Sequence, residues 1–257
     1  VVAANLSSFT MAPVRGFADA LDVCVFVMVL GGFLAIMTKT GALDTGIQVL
    51  VRSLHGKELW LIPVLMTIFS IGGTTYGMCE ETVPFYMLLA ATMFAAGFDP
   101  LVGAAIVLLG AGVGCLGSTV NPFAVGACID SLTSIGIEVN QAIIIPLGIV
   151  LWLAALVVAI LFVMSYAKKV KANKAASLLT AEEWKAVEEE YGGEKAPDAG
   201  VTFTPRQKVV MALFAVSFVV MIVGMIPWGQ FGIHIFDHTS ILTGNNLGDW
   251  YFGDLTA

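Results

Sequence analysis

Two adjacent carboxylates, Glu80 and Glu81, stand in the segment GGTTYGMCEETVPF (Gly72 to Phe85), within an otherwise apolar region of membrane length. An ionisable residue at bilayer depth costs at least about 2.5 to 3.5 kcal/mol on insertion scales, so it marks a substrate or ion path by default. Two like charges this close in a low-dielectric site raise at least one pKa, and the pair would then hold a proton that a cation can displace. Helix neighbours point about 100° apart. One Glu is therefore expected to carry the proton and the other to cap the helix. The first break is expected over Gly72 to Gly77, where two glycines let the chain leave helical geometry and Thr74, Thr75 and Tyr76 supply hydroxyls. Glu80, Glu81 and Thr82 then open the next helix, whose positive end favours carboxylates.

A second break is expected in GCLGSTVNPF, Gly114 to Phe123. Pro122 removes a helical hydrogen bond and disfavours the helical conformation of the residue before it, while Ser118, Thr119 and Asn121 offer oxygens. Non-helical backbone at membrane depth survives only when buried in protein or lining a polar cavity. Discontinuous helices of this kind hold Na⁺ or polar substrate groups near the midplane of transporters, and a Na⁺ site is expected at Ser118 and Asn121. Each break alone has a plain structural reading, since Ser and Thr in spanning helices often bond back to their own helix. The two breaks together, with the Asn-Pro pair, favour one transport site between them.

The elements that must position these residues are membrane helices. Hydrophobic residues make up 58% of the 257 and charged ones 12%, and mean hydropathy is +0.91, whereas soluble domains sit near 45–50% apolar and roughly 25% charged. The net charge of -7 forms no continuous charged face and points to no nucleic-acid partner. Cys24, Cys79, Cys115 and Cys128 show no metal-ligand spacing and read as small buried apolar residues. The opening Val1-Val2-Ala3 reads as a cut inside a longer protein, with no signal peptide.

Spans are expected at Phe17–Met37, Ile137–Ala167 and Val209–Trp228, with the irregular region Leu59 to Leu132 among them. The lysines and arginines of 168–208, with Lys39, Arg52 and Lys57, all thread to the cytoplasmic side. That parity holds for Leu59 to Phe98 either as two full spans or as a re-entrant hairpin. The hairpin is preferred, because Leu59 to Ile71 reaches only about 20 Å without the polar GGTTYG stretch. Gly41 to Leu54 has the pattern of an amphipathic interfacial helix. Thr180 to Glu183 matches a capping box, with Trp184, Val187 and Tyr191 on one stripe of the helix it opens. The domains are thus 11–167, a transport repeat; 168–208, a cytoplasmic loop with a short amphipathic helix; 209–228, a transmembrane helix; and 229–257, an external or interfacial tail. In that tail Trp250, Tyr251 and Phe252 suit a membrane interface, and His234, Asp237 and His238 have a spacing that a metal would accept, although no helix is secure there.

The interfacial helix, a hairpin tip reading GGTTYGMCEETVPF and a helix broken at GSTVNPF resemble the C4-dicarboxylate anaerobic carrier family (DcuC), in particular its YfcC-like branch, which is related to basic amino acid antiporters within the ion transporter superfamily. The resemblance runs from Met11 to about Tyr166. It implies an all-α integral membrane protein, a polytopic helix bundle with a re-entrant hairpin and a broken transmembrane helix, forming the first half of an inverted-repeat transporter. Carried over residue by residue, Thr74, Thr75, Gly77, Glu80 and Glu81 form the hairpin side of a substrate and ion site, and Ser118, Thr119, Asn121 and Pro122 the broken-helix side. Nothing after Val209 repeats the hairpin, so the second inverted repeat is expected outside this chain.

The expected function is ion-coupled secondary transport, by symport or antiport, of a small charged metabolite across the bacterial cytoplasmic (inner) membrane. A basic amino acid is preferred on Coulomb grounds, and a C4-dicarboxylate is the alternative. A non-transporting scaffold subunit is a more distant one. No HExxH motif is present, and neither an enzyme activity nor a cofactor is expected. The coupling ion is H⁺ or Na⁺. The partners are the lipid bilayer, a small-molecule substrate and, as a candidate assembly, a second copy in a homodimer.

Overall fold

Backbone polar groups in hydrocarbon must be satisfied within the segment, and so apolar sequence of this kind folds as helices. The computed structural model describes residues 6–54, 56–79, 82–191, 202–240, 243–250 and 254, and no strand occurs among them. The chain runs α1 (Leu6–Asp19), α2 (Leu21–Lys39), α3 (Ala42–Ser53), a 3₁₀ turn (Glu58–Trp60), α4 (Leu61–Tyr76), α5 (Val83–Ala95), α6 (Pro100–Leu116), a π-helical turn (Pro122–Gly126) and α7 (Ala127–Ser134). It continues through α8 (Gln141–Ala172), a 3₁₀ turn (Lys174–Ala176), α9 (Ala181–Tyr191), α10 (Pro205–Met225) and a last 3₁₀ turn (Trp228–Phe231). Glu58–Tyr76, Gln141–Ala172 and Pro205–Met225 are long and apolar enough to cross a membrane.

Several boundaries differ from the sequence reading. The span expected at Phe17–Met37 is divided at Ala20 between α1 and α2. Its hydrogen bonds still cross the joint, from Ala20 N–H to Gly16 O and from Cys24 N–H to Ala20 O. The expectation began at Phe17 and so omitted α1 before that residue, including Pro13 inside the helix. α8 continues past residue 167 to Ala172, placing Lys168, Lys169 and Lys171 on the helix rather than in a loop. α10 begins at Pro205 because Thr204 and Gln207 form a reciprocal capping box ahead of the apolar run.

α6 is the centre of the bundle, and its glycines let the backbones of its neighbours close in. A Cβ at Gly103 would collide with the Leu89 carbonyl of α5, and one at Gly114 with the Ser70 carbonyl of α4. Across the same seam, a Cβ at Gly73 would collide with the Ala111 carbonyl. Leu65, Met66, Phe69, Leu89, Met93, Ile106, Val107 and Val163 fill the core between α4, α5, α6 and α8. On the outward faces of α8 and α10, by contrast, Leu147, Val158, Phe162, Leu213 and Val219 are exposed.

α3 lies at the edge of this core, with Leu43, Ile47, Leu50 and Leu54 packed against it. Gln207 of α10 clips α3 in place by donating to Thr45 Oγ1 (3.0 Å). An aromatic chain joins the end of α4 to α10, with ring centroids 4.5 Å apart for Tyr76–Phe218 and 4.6 Å for Phe214–Phe218.

The cysteine and tail expectations change as well. Cys79 and Cys128 are exposed within this chain and Cys24 and Cys115 half-buried, so none is the fully buried apolar residue expected. Cys79 lies beyond the end of α4, while Cys128 sits on an outward face of α7. Trp250 is turned into the chain. Its ring packs over Gly224 and it is 9% exposed. Tyr251 and Phe252 lie outside the described residues. His234 Nδ1 is 3.1 Å from Asp237 Oδ2 in a run of turns, and no group of three metal-ligating side chains occurs among the described residues.

Candidate functional site

The first break begins five residues later than expected. α4 continues in α-helical geometry through Gly72, Gly73, Thr74, Thr75 and Tyr76, and ends at Gly77, which takes the left-handed conformation (φ 81°). The physical reason lies in the packing just described: Gly73 serves the close approach of α6 and does not release the chain. Gly77 N–H still donates to Gly73 O (3.1 Å), as suits a glycine terminating a helix. Beyond Cys79, Thr82 is buried and donates to Cys79 O (2.5 Å) at the head of α5. Glu80 and Glu81 lie outside the described residues.

The second break falls where the sequence places it. α6 stops at Leu116, Gly117 to Asn121 leave helical geometry, and Pro122 opens the π-helical turn. Asn121 restarts the helix as its cap, with Oδ1 accepting from Phe123 N–H (2.9 Å) and Ala124 N–H (3.3 Å). Its Nδ2 donates to Ser118 Oγ (3.0 Å), and Ser118 donates in turn to Cys115 O (2.6 Å). Asn121 is only 2% exposed. Its side-chain oxygen is thus already engaged by two N–H groups, and Ser118 Oγ is the less committed oxygen of the pair.

The two breaks interlock. Thr74 Oγ1 donates to Gly117 O (2.7 Å), while Thr119 N–H and Thr119 Oγ1 both donate to Thr74 O (3.0 Å each). A Cβ at Gly77 would lie 2.8 Å from Asn121 Oδ1, so only glycine fits there on both conformational and steric grounds. Thr74, Gly77, Ser118, Thr119, Asn121 and Pro122 therefore come together. Thr75 does not join them, because its hydroxyl bonds back within α4 to Ile71 O (2.6 Å).

Sequence reading missed two contributors from α8. A Cβ at Gly117 would collide with the Trp152 backbone, and one at Gly148 with the Ser118 carbonyl. The signal that could have found them is the pair Gly148 and Trp152, one helical turn apart in an otherwise bulky run. Beside the break, a cavity of about 50 Å³ is lined by residues that include Thr119, Val120, Gln141, Met225 and Trp250. That is room for water or an ion.

Helices of spanning length with apolar outer faces, wrapped around two facing interruptions, fit an integral membrane protein. The chain belongs to the C4-dicarboxylate anaerobic carrier family, whose model matches residues 1–251. A protein of Haemophilus influenzae described as "Uncharacterized protein" is 33% identical over 226 residues, covering 88% of this chain and 43% of that protein. The Escherichia coli (strain K12) protein "Putative basic amino acid antiporter YfcC" is 32% identical over 157 residues, 61% of this chain and 30% of that protein. The chain thus spans less than half the length of these curated relatives. No solved structure matches.

Proposed function

We propose that this chain forms the first repeat of an ion-coupled secondary transporter that moves a small charged metabolite across the cytoplasmic membrane, with a basic amino acid as the favoured substrate. The observation that carries the reading is the pairing of Thr74 with Gly117 and Thr119, which fixes two helix interruptions against each other in the middle of an apolar bundle. Paired interruptions of this kind supply carbonyl and hydroxyl oxygens to ions and substrates in transporters. α4 absorbs the GGTTYG stretch, and Glu58–Tyr76 is long enough to cross a membrane, so the first arm is not short. The re-entrant reading rests on α5, whose thirteen residues reach about 20 Å, short of a 30 Å hydrocarbon core. The lysine-bearing segment after α8 faces the cytoplasm by the positive-inside rule.

In this reading Glu80 and Glu81 stand at the hairpin tip, share a proton, and attract a cationic substrate by charge. Ser118 with the neighbouring carbonyls offers a Na⁺ ligand set, and Asn121 holds the second half-helix in place. The remainder of the full-length protein supplies the second repeat. The description of the Escherichia coli relative as a basic amino acid antiporter agrees with the substrate class. The family's own description favours a second reading, a C4-dicarboxylate.

Full-length protein in proteoliposomes separates the two. Accumulation of arginine or ornithine in exchange for internal substrate, without succinate or fumarate uptake, is the expected result. Uptake of succinate or fumarate alone overturns the substrate class.

A further inference from the structure

We propose that residues 173–191 are a strap that restrains α5, the second arm of the hairpin, and that a buried carboxylate, Asp99, is its latch. Asp99 is 0% exposed, and it caps α6 by accepting Val102 N–H at Oδ1 (3.1 Å). Among the described residues no basic side chain pairs with it. Its other oxygen is held by two hydroxyls, those of Tyr166 on α8 and Ser177 on the strap, the latter at 2.6 Å. The strap's backbone completes the arrangement, with Leu178 N–H donating to Tyr166 Oη (3.1 Å) and Leu179 N–H to Ser177 Oγ (3.2 Å). A carboxylate this deeply buried is costly unless its oxygens are satisfied, and here the strap provides one of the three donors.

From that latch α9 runs back over α5. Trp184 and Tyr191 both pack on Phe94, with centroids 6.2 Å apart in each case, and Tyr191 reaches Met87 Sδ (3.7 Å). Lys174 steadies the approach, lying 5.1 Å from the Trp184 ring centroid and 3.9 Å from Glu188 Oε1. At the latch end, Lys171 sits over Phe98 (4.7 Å) and pairs with Glu58 (3.5 Å), so the base of α4 is tied in too. α5 packs chiefly on α6, meets α4 through Phe85 and Phe69 (ring centroids 5.6 Å apart), and is crossed on its outer side by α9 of the strap. A latched strap therefore adds a restraint on α5 beyond its packing on α6. None of the groups at Asp99 lies at the two breaks, so the strap acts on the arm and not on the ligands.

The role in transport rests on the function proposed above, and so the test has an arm that needs no substrate. In full-length protein in nanodiscs, Ser177→Ala and Asp99→Asn should speed amide hydrogen exchange about tenfold in both 181–191 and 91–98, while Ser165→Ala on the exposed side of α8 changes neither. In proteoliposomes, Ser177→Ala should at least double the maximal rate of arginine exchange and leave KM within twofold. Ser177→Ala is the variant that keeps Tyr166 and Val102 on the carboxylate, so it decides the matter if Asp99→Asn fails to fold. Faster exchange confined to 181–191, or an unchanged maximal rate, overturns the proposal. If the wild type carries no arginine, the functional reading fails instead, and exchange at 91–98 alone decides the strap.

Discussion

Thr74 and Thr75 show how much one residue's orientation decides. Both are threonines in the last turn of α4, yet Thr74 donates across to Gly117 O and Thr75 back to Ile71 O. Interhelical hydrogen bonds in membrane proteins contribute about 0.6 kcal/mol on average and about 1.7 at most. Thr74→Val should lower the unfolding midpoint of the detergent-purified protein by a loss in that range, and Thr75→Val should leave it nearly unchanged. Sequence alone could not separate the two, because the choice is made by which face α6 occupies.

A pH effect belongs to the same scale. Glu183 accepts from Thr180 N–H (2.7 Å) and from Thr180 Oγ1 (2.8 Å), and these bonds hold its carboxyl below the ordinary carboxylate range. A depressed folded-state pKa means that the cap stabilises α9 above the unfolded carboxylate value, near 4.3, and fades as pH falls through the lower folded value. Thr180→Ala should raise the Glu183 titration midpoint, read by NMR of labelled glutamate carboxyls. The backbone N–H remains in this variant, so an unmoved midpoint would contradict the hydroxyl's share of the cap.

At the scale of elements, α6 depends on where its neighbours approach. Gly73→Ala and Gly114→Ala place a methyl against opposing backbone, which cannot move aside as a side chain can, and each should cost about 1 to 3 kcal/mol. A Cβ at Gly112 meets nothing within 4 Å, so Gly112→Ala should be neutral or stabilise by up to about 1 kcal/mol through helix propensity. Thermal unfolding of the three variants in detergent measures this directly.

Much of the element order was legible in the sequence. Periodicity marks α3 and α9, Asn-Pro marks the second break, and the apolar runs mark α8 and α10. Two things were not legible. Glycine pairs serve equally for leaving a helix and for packing against one, and Gly72-Gly73 turned out to belong to α4. The capping residue Thr204 starts α10 ahead of the apolar run, where hydropathy carries no signal.

At the scale of the whole molecule, the parts of the candidate site written as local motifs were the ones legible in advance. Gly77, Ser118, Thr119, Asn121 and Pro122 fall at interruptions because glycine and proline chemistry requires interruptions there. The contributions of Gly148 and Trp152 come from a helix some thirty residues further on, and their part in the site follows from packing that no local pattern records. The apolar faces of α8 and α10 are exposed, and the matched relatives are more than twice this length, which is what the proposed role as one repeat of a larger bundle requires.

The central claim is that the two interlocked breaks form one ion-coupled site, and substrate flux in a variant of the second break tests it most directly. Full-length wild type and Asn121→Leu, reconstituted to equal protein content, are compared for arginine exchange with and without imposed Na⁺ and pH gradients. Leucine cannot cap the second half-helix or stand against Gly77, so gradient dependence should vanish in the variant while insertion and expression persist. A variant that keeps the gradient dependence of the wild type would contradict the account and place the coupling site away from these breaks.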